Sequence, residues 1–207
     1  LSYAVTVVAQ PTTAPTTTSR QRPEGAGTLA GFEISPHFDE QFKQYRIEPG
    51  IQILVNAPSP RQFDPRKPTR IVFFTLPNGN TTAETFGRKY SDPTEWHYGI
   101  QHIGAQTRQL RSVINDANLV VVYLEADGKS WPAWKKKYDN HRQLINRAID
   151  SVRELFAKYS PTCELSGHSG GGSFIFAFLD SAEHIPAWIT RITFLDSNYN
   201  YNDDESR

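Results

Sequence analysis

The stretch CELSGHSGGGSFIF, residues 163–176, decides the fold that this sequence predicts. It begins with residues typical of a buried strand, continues through glycines, and ends in an apolar run that starts a helix. Ser169 lies at its centre, with Gly167 two residues before it and Gly171 two residues after it. The stretch therefore predicts a strand that turns sharply into a helix, with a serine at the turn.

Buried strands and amphipathic helices alternate on both sides of this turn. Short strands flank a Pro49-Gly50 turn, and the later apolar runs predict strands at 71–76, 118–127 and 191–198 and helices at about 97–115 and 136–159. Such alternation is typical of an α/β protein with a mostly parallel sheet and helices on both faces. Ligands bind at the carboxyl ends of such strands, which here are residues 77–80, 125–127, 167–171 and 196–198.

Residues 167–171 fit the pattern G-x-S-x-G, and they lie between a buried strand and a helix, as that pattern requires. The turn holds the serine in an unfavourable backbone conformation that presents its hydroxyl, and side chains at the two flanking positions would collide with strand and helix. The N–H of Gly170 would face a developing oxyanion from the start of the helix. A phosphate-binding turn is the alternative, but the chain lacks both glycine patterns that such turns use.

In this turn, in the strand and loop FFTLPNGNT (residues 73–81), and in the strand order around them, the chain resembles the α/β-hydrolases. The resemblance implies a three-layer sandwich with Ser169 as the nucleophile of a serine esterase, incomplete at its C-terminus. It also implies that the loop after the third core strand supplies a second oxyanion N–H. Asn78, Gly79 and Asn80 are the candidates, of which we favour Asn80. The alternative is an ordinary Asn-Gly turn, and the His-Gly-Gly-Gly form of the motif is absent.

A serine nucleophile works within a catalytic triad, which also contains a base and an acid. In α/β-hydrolases the acid follows the serine along the chain, and the histidine that acts as the base follows the acid. Asp196 comes directly after the last predicted strand and is the expected acid, with a loop aspartate in an Asx-turn as the alternative. None of the histidines follows Asp196. His168 occupies the x position of the motif, where side chains are packed, and His97 as base would break the order. The resemblance therefore implies a catalytic histidine beyond residue 207.

The N-terminal part differs from the rest. Residues 1–29 predict a signal-peptide remnant followed by a disordered Thr/Pro-rich linker, and residues 30–207 a partial hydrolase core. The apolar opening is far shorter than the ~20 residues that span a bilayer. These features predict a secreted or periplasmic protein without a membrane span.

The amino-acid composition and the spacing of a few side chains indicate which kinds of partner the protein could bind. The 22 basic and 22 acidic residues cancel, which argues against a nucleic-acid partner. His97 and His102 are five residues apart, which is not the spacing of a helical metal site, and we expect neither metal nor cofactor. Trp131 and Trp96 follow strand ends and are candidates for stacking on a substrate, with core packing as the alternative.

These observations predict a secreted serine hydrolase that cleaves an ester, or less readily an amide, through an acyl-enzyme on Ser169. The substrate would be a small-molecule or polysaccharide-linked ester. A catalytically inactive scaffold that binds carbohydrate or a protein partner is the alternative. An acyltransferase with the same strand–serine–helix turn, the elbow formed by residues 167–171, is a third possibility. A fold alone does not decide among them.

Overall fold

A seven-stranded sheet is the centre of the structure, a computed structural model that describes residues 27–87 and 101–197. Its strands lie in the order β1-β2-β3-β5-β4-β6-β7. Their bounds are β1 Glu33–Ile34, β2 Glu40–Ile47, β3 Ile51–Pro58, β4 Thr69–Thr75, β5 Asn118–Ala126, β6 Thr162–His168 and β7 Ile189–Leu195.

The sheet is mixed, with an antiparallel and a parallel part. The N-terminal strands β1, β2 and β3 pair in antiparallel fashion, and β3 is also antiparallel to β5. The remaining strands β5, β4, β6 and β7 are parallel to one another. Their carboxyl ends therefore meet at one edge of the sheet, which is where the G-x-S-x-G turn lies.

Helices cover both faces of the sheet. They are α1 Thr82–Phe86, α2 Ile103–Val113, α3 Trp131–Lys137, α4 His141–Leu155 and α5 Gly172–Leu179. Successive residues of a strand point to opposite faces. Phe73 of β4 accordingly belongs to the larger core, beneath α3, α4 and α5, whereas Phe74 packs in a smaller cluster with residues of α1 and α2.

The strand pattern and the mixed α/β class predicted from the sequence are confirmed. The helix expected at about 97–115 occupies 103–113 among the described residues, and the one expected at 136–159 is α4 followed by a short 3₁₀ turn. Helix α3 was not predicted. Within the described residues, no helix combines the length and apolarity needed to cross a bilayer.

Candidate active site

Ser169 lies where β6 turns into α5. Strand β6 ends at His168, a 3₁₀ turn occupies Ser169–Gly171, and α5 follows at once. The φ angle of Ser169 is 52°, in the left-handed region that non-glycine residues rarely adopt. A strained residue of this kind persists only where the surrounding structure imposes it. This conformation is the one that the G-x-S-x-G pattern predicts for its serine.

The flanking glycines are enclosed by β4. A Cβ at Gly167 would come within 2.9 Å of Thr75 Oγ1 and of the backbone nitrogen of Gly172. A Cβ at Gly171 would collide with the carbonyl group of Thr75. The Thr75 hydroxyl also donates a hydrogen bond to Gly171 O at 2.8 Å. The expected collision with strand and helix is thus present, and β4 holds the turn in place.

The loop after β4 lies beside this turn, because Thr75 and Gly167 are paired in the sheet. The N–H of Gly79 donates to the carbonyl oxygen of Lys129 at 2.9 Å, and the N–H of Asn80 donates to that of Pro77 at 3.4 Å. Asn80 is also buried, with 3% of its surface exposed. Asn78 is exposed, and within residues 27–87 and 101–197 neither its N–H nor its amide has a hydrogen bond.

Asp196 follows the end of β7 at the same edge. His168 and Leu195 are paired in the parallel register, so Ser169 and Asp196 are the next residues of two adjacent strands. Asp196 is exposed and has a φ angle of 49°, a left-handed conformation that aspartate tolerates better than most residues. Its place beside the elbow is compatible with the predicted acid, and that role stays a prediction.

Of the two tryptophans predicted to stack on a substrate, Trp131 and Trp96, the structure describes only Trp131. Trp131 is 1% exposed and packs edge-on against Phe174 and Trp134, with ring centroids 4.8 Å and 5.4 Å away. This position matches the core-packing alternative, and contact with a substrate stays a prediction. Trp96 lies outside the described residues.

Of the two histidines predicted near the turn, the structure describes His168. His168 is half-buried, and its Nδ1 contacts Nε2 of Gln101, which precedes α2. This is the packed position expected for the x residue of the motif. His97 lies outside the described residues.

Carboxylates at the end of β5 are engaged elsewhere. Glu125 accepts hydrogen bonds from the N–H and the hydroxyl of Thr82, at 2.6 Å and 2.7 Å, at the start of α1. Asp127 forms an ion pair with Arg46 at 2.8 Å. These contacts give both carboxylates a structural role. The sequence offered no signal for them, because the partners are distant along the chain.

Solved structures with a similar fold include an alpha/beta hydrolase fold protein of unknown function, at a TM-score of 0.44 and 14% identity over 76% of this chain and 44% of that one. A cold-adapted esterase from an Arctic intertidal metagenomic library has a TM-score of 0.43 and 10% identity, over 79% and 62%. Esterase 2 of Thermogutta terrifontis has a TM-score of 0.40 and 13% identity, over 86% and 64%.

The chain thus spans 44% and 62% of the length of the first two structures. No family model and no curated relative matches the chain. The likeness is one of fold, while the sheet order above rests on the strand pairings of this chain itself.

Proposed function

We propose that the protein is a serine hydrolase that cleaves a carboxylic ester through an acyl-enzyme on Ser169. The observation that carries this proposal is the left-handed serine, with φ of 52°, between β6 and α5 at the carboxyl edge of the parallel strands. Strain at a non-glycine residue supports a functional role when the surroundings hold it so firmly.

The reaction proposed for this geometry has two halves. Ser169 Oγ attacks the ester carbonyl carbon while a general base takes its proton, and the alcohol leaves with that proton as the acyl-enzyme forms. Water then attacks the acyl carbon, with its proton passing to the same base, and releases the acid and free serine. Asp196, on the neighbouring strand end, would orient the base.

The oxyanion of each tetrahedral intermediate needs preorganised donors. The first N–H groups of a helix lack intrahelical partners, which supports Gly170 as one donor. For the second donor the hydrogen bonds favour Asn78 over Asn80, because the Gly79 and Asn80 N–H groups already donate to Lys129 and Pro77. The backbone of Asn78 is therefore our proposal for the loop donor.

Secretion and the substrate class remain proposals that rest on the sequence. The Thr/Pro-rich stretch within residues 1–29 supports an extracellular or periplasmic location. The same stretch supports a polysaccharide-linked ester, such as an acetyl ester, as the substrate. An ester is favoured over an amide because its alkoxide leaves more readily than an amine.

Labelling with a fluorophosphonate tests the nucleophile. We expect the full-length wild-type protein, which is the wild type in all the assays below, to be labelled and its Ser169→Ala variant to be unlabelled. Ser166→Ala, in β6, and Ser173→Ala, in α5, are matched controls that should keep the label. A wild type that folds but takes no label would overturn the proposal and favour the inactive scaffold.

Turnover assays distinguish an esterase from an amidase and from an acyltransferase. We expect hydrolysis of p-nitrophenyl acetate by the wild type, with little hydrolysis of the matching p-nitroanilide. Transfer of the acetyl group to an added alcohol in preference to water would instead identify an acyltransferase. Ser169→Ala should abolish whichever reaction is observed.

A further inference from the structure

The side chain of Asn78 lies against Gly170, a contact that the sequence did not predict. A Cβ at Gly170 would collide with the Asn78 amide, whose Oδ1 is the atom nearest to that Cβ position and whose Nδ2 lies 2.7 Å from it. The amide therefore sits against the residue that follows Ser169. Gly170 is buried and has no left-handed φ, so the need for glycine here comes from the amide, not from the backbone conformation.

This amide is available for a ligand. Asn78 is exposed, and in the part of the chain that the structure describes its side chain has no hydrogen bond. Rotation about its Cβ–Cγ bond can present Nδ2 to a negatively charged oxygen. Asn80, two residues further on, is buried, and its Nδ2 has no hydrogen-bond partner among the described residues.

We propose that the Asn78 side-chain amide is an additional oxyanion donor, beside the N–H groups of Gly170 and Asn78. The inference rests on the proposed function and extends it. A neutral amide held against the helix start donates to the developing charge without the desolvation cost of a buried cation. It strengthens as charge moves from carbonyl to oxyanion, so it acts on kcat more than on KM.

The test compares Asn78→Ala and Asn78→Asp with the wild type on p-nitrophenyl acetate, and measures binding of benzeneboronic acid, which forms a tetrahedral adduct on serine. Loss of one oxyanion donor costs about 10²–10³ in kcat. We expect such a loss in Asn78→Ala, with KM within about threefold and weaker boronic acid binding. Asn78→Asp should lose at least as much, because a carboxylate repels the oxyanion.

A double-mutant cycle with Gly170→Ala adds a readout that a purely structural role would not give. The new methyl group should displace the amide and reduce kcat on its own, but should add little to Asn78→Ala. Asn115→Ala, an exposed asparagine before β5 at the opposite edge, is the control and should keep wild-type kcat.

The outcomes separate this inference from the proposed function. A wild type that takes the fluorophosphonate and hydrolyses the ester, with Asn78→Ala and Asn78→Asp both within about threefold of its kcat, would leave the hydrolase intact and overturn the donor. A loss confined to KM, or additive losses in the cycle, would also overturn it. An unlabelled wild type would instead mean that the proposed function is wrong.

Discussion

Ser197 donates a hydrogen bond from its hydroxyl to the carbonyl oxygen of Gly167 at 2.8 Å. The residue after the candidate acid is thereby bonded to the first glycine of the elbow. Ser197 is fully buried, and a Cβ at Gly172 would lie 2.6 Å from the Cβ of Ser197. The loop after β7 and the start of α5 are therefore packed as one unit around Ser169.

Replacing that serine should weaken the unit. Ser197→Ala removes a buried hydrogen bond, and such a bond contributes about 1 kcal/mol to the free energy of unfolding. We expect a loss of that size in urea denaturation and slower fluorophosphonate labelling. Ser112→Ala is the control: its exposed hydroxyl donates to Gln109 O within α2, and the variant should stay within about 0.5 kcal/mol of the wild type. Equal stability of Ser197→Ala and the wild type would contradict this prediction.

The second elbow glycine should tolerate no side chain. Gly171→Ala places a methyl group against the Thr75 backbone, which cannot move without distorting β4. Overpacking of this kind costs about 1–3 kcal/mol. We expect that loss in the free energy of unfolding, together with reduced labelling of Ser169. Gly27→Ala is the control, because none of the residues that the structure describes lies within 4 Å of its Cβ position.

The sequence predicted the central strands well because β4 and β5 contain nearly continuous apolar runs with turn residues at their ends. Strand β5 is buried at every position, and its hydrophobicity alone marks it. Helix α3 was missed because its apolar content is two tryptophans separated by Pro132 and Ala133, too short for a periodic signal. Pro132 in the first turn was the available clue, because proline fits the first turn of a helix.

The site was only partly predictable for the same reason. The elbow is a local pattern, so Ser169 and its glycines could be read from five consecutive residues. Among the three loop candidates, Gly79 is disfavoured by a contact that no local pattern encodes, because its N–H donates at 2.9 Å to the carbonyl oxygen of Lys129, which is distant in the chain. Likewise, the burial of Trp131 follows from its contact with α5, which no local pattern encodes.

The acid can be tested by an isosteric change. If Asp196 orients the base, Asp196→Asn should lower kcat for p-nitrophenyl acetate by about 10²–10⁴ and leave the melting temperature unchanged, since the residue is exposed. Asp180→Asn, at the end of α5 in contact with Arg142, is the matched control and should keep its activity. Comparable activity of Asp196→Asn and wild type would remove Asp196 from the triad.

Substitutions of Trp131 distinguish a role in core packing from a role in substrate binding. If its role is packing, Trp131→Ala should lower the free energy of unfolding by about 3–5 kcal/mol, because a large buried ring is lost. Trp131→Phe should recover much of this stability and keep KM near that of the wild type. A stable Trp131→Phe with a strongly raised KM would instead support the predicted contact with substrate.

The buried thiol of Cys163 should make the free energy of unfolding decrease at alkaline pH. The thiol is buried in β6, and burial raises its pKa to about 12. The unfolded chain would release this proton near pH 8.5. Because the folded pKa is the higher one, the folded state binds the proton more tightly, so its contribution is complete below about pH 8.5 and is lost as the pH rises toward 12.

Between those values the free energy of unfolding should fall by up to about 1.4 kcal/mol per pH unit from this thiol. Tyr45 and Tyr123 also have a raised pKa through burial, so the wild type will show a steeper slope than one group gives. Cys163→Ala should shift the curve by a constant amount at neutral pH and reduce the slope above pH 8.5. Urea denaturation of both proteins from pH 7 to 10.5 measures the difference, and parallel curves would show that the thiol does not titrate differently on folding.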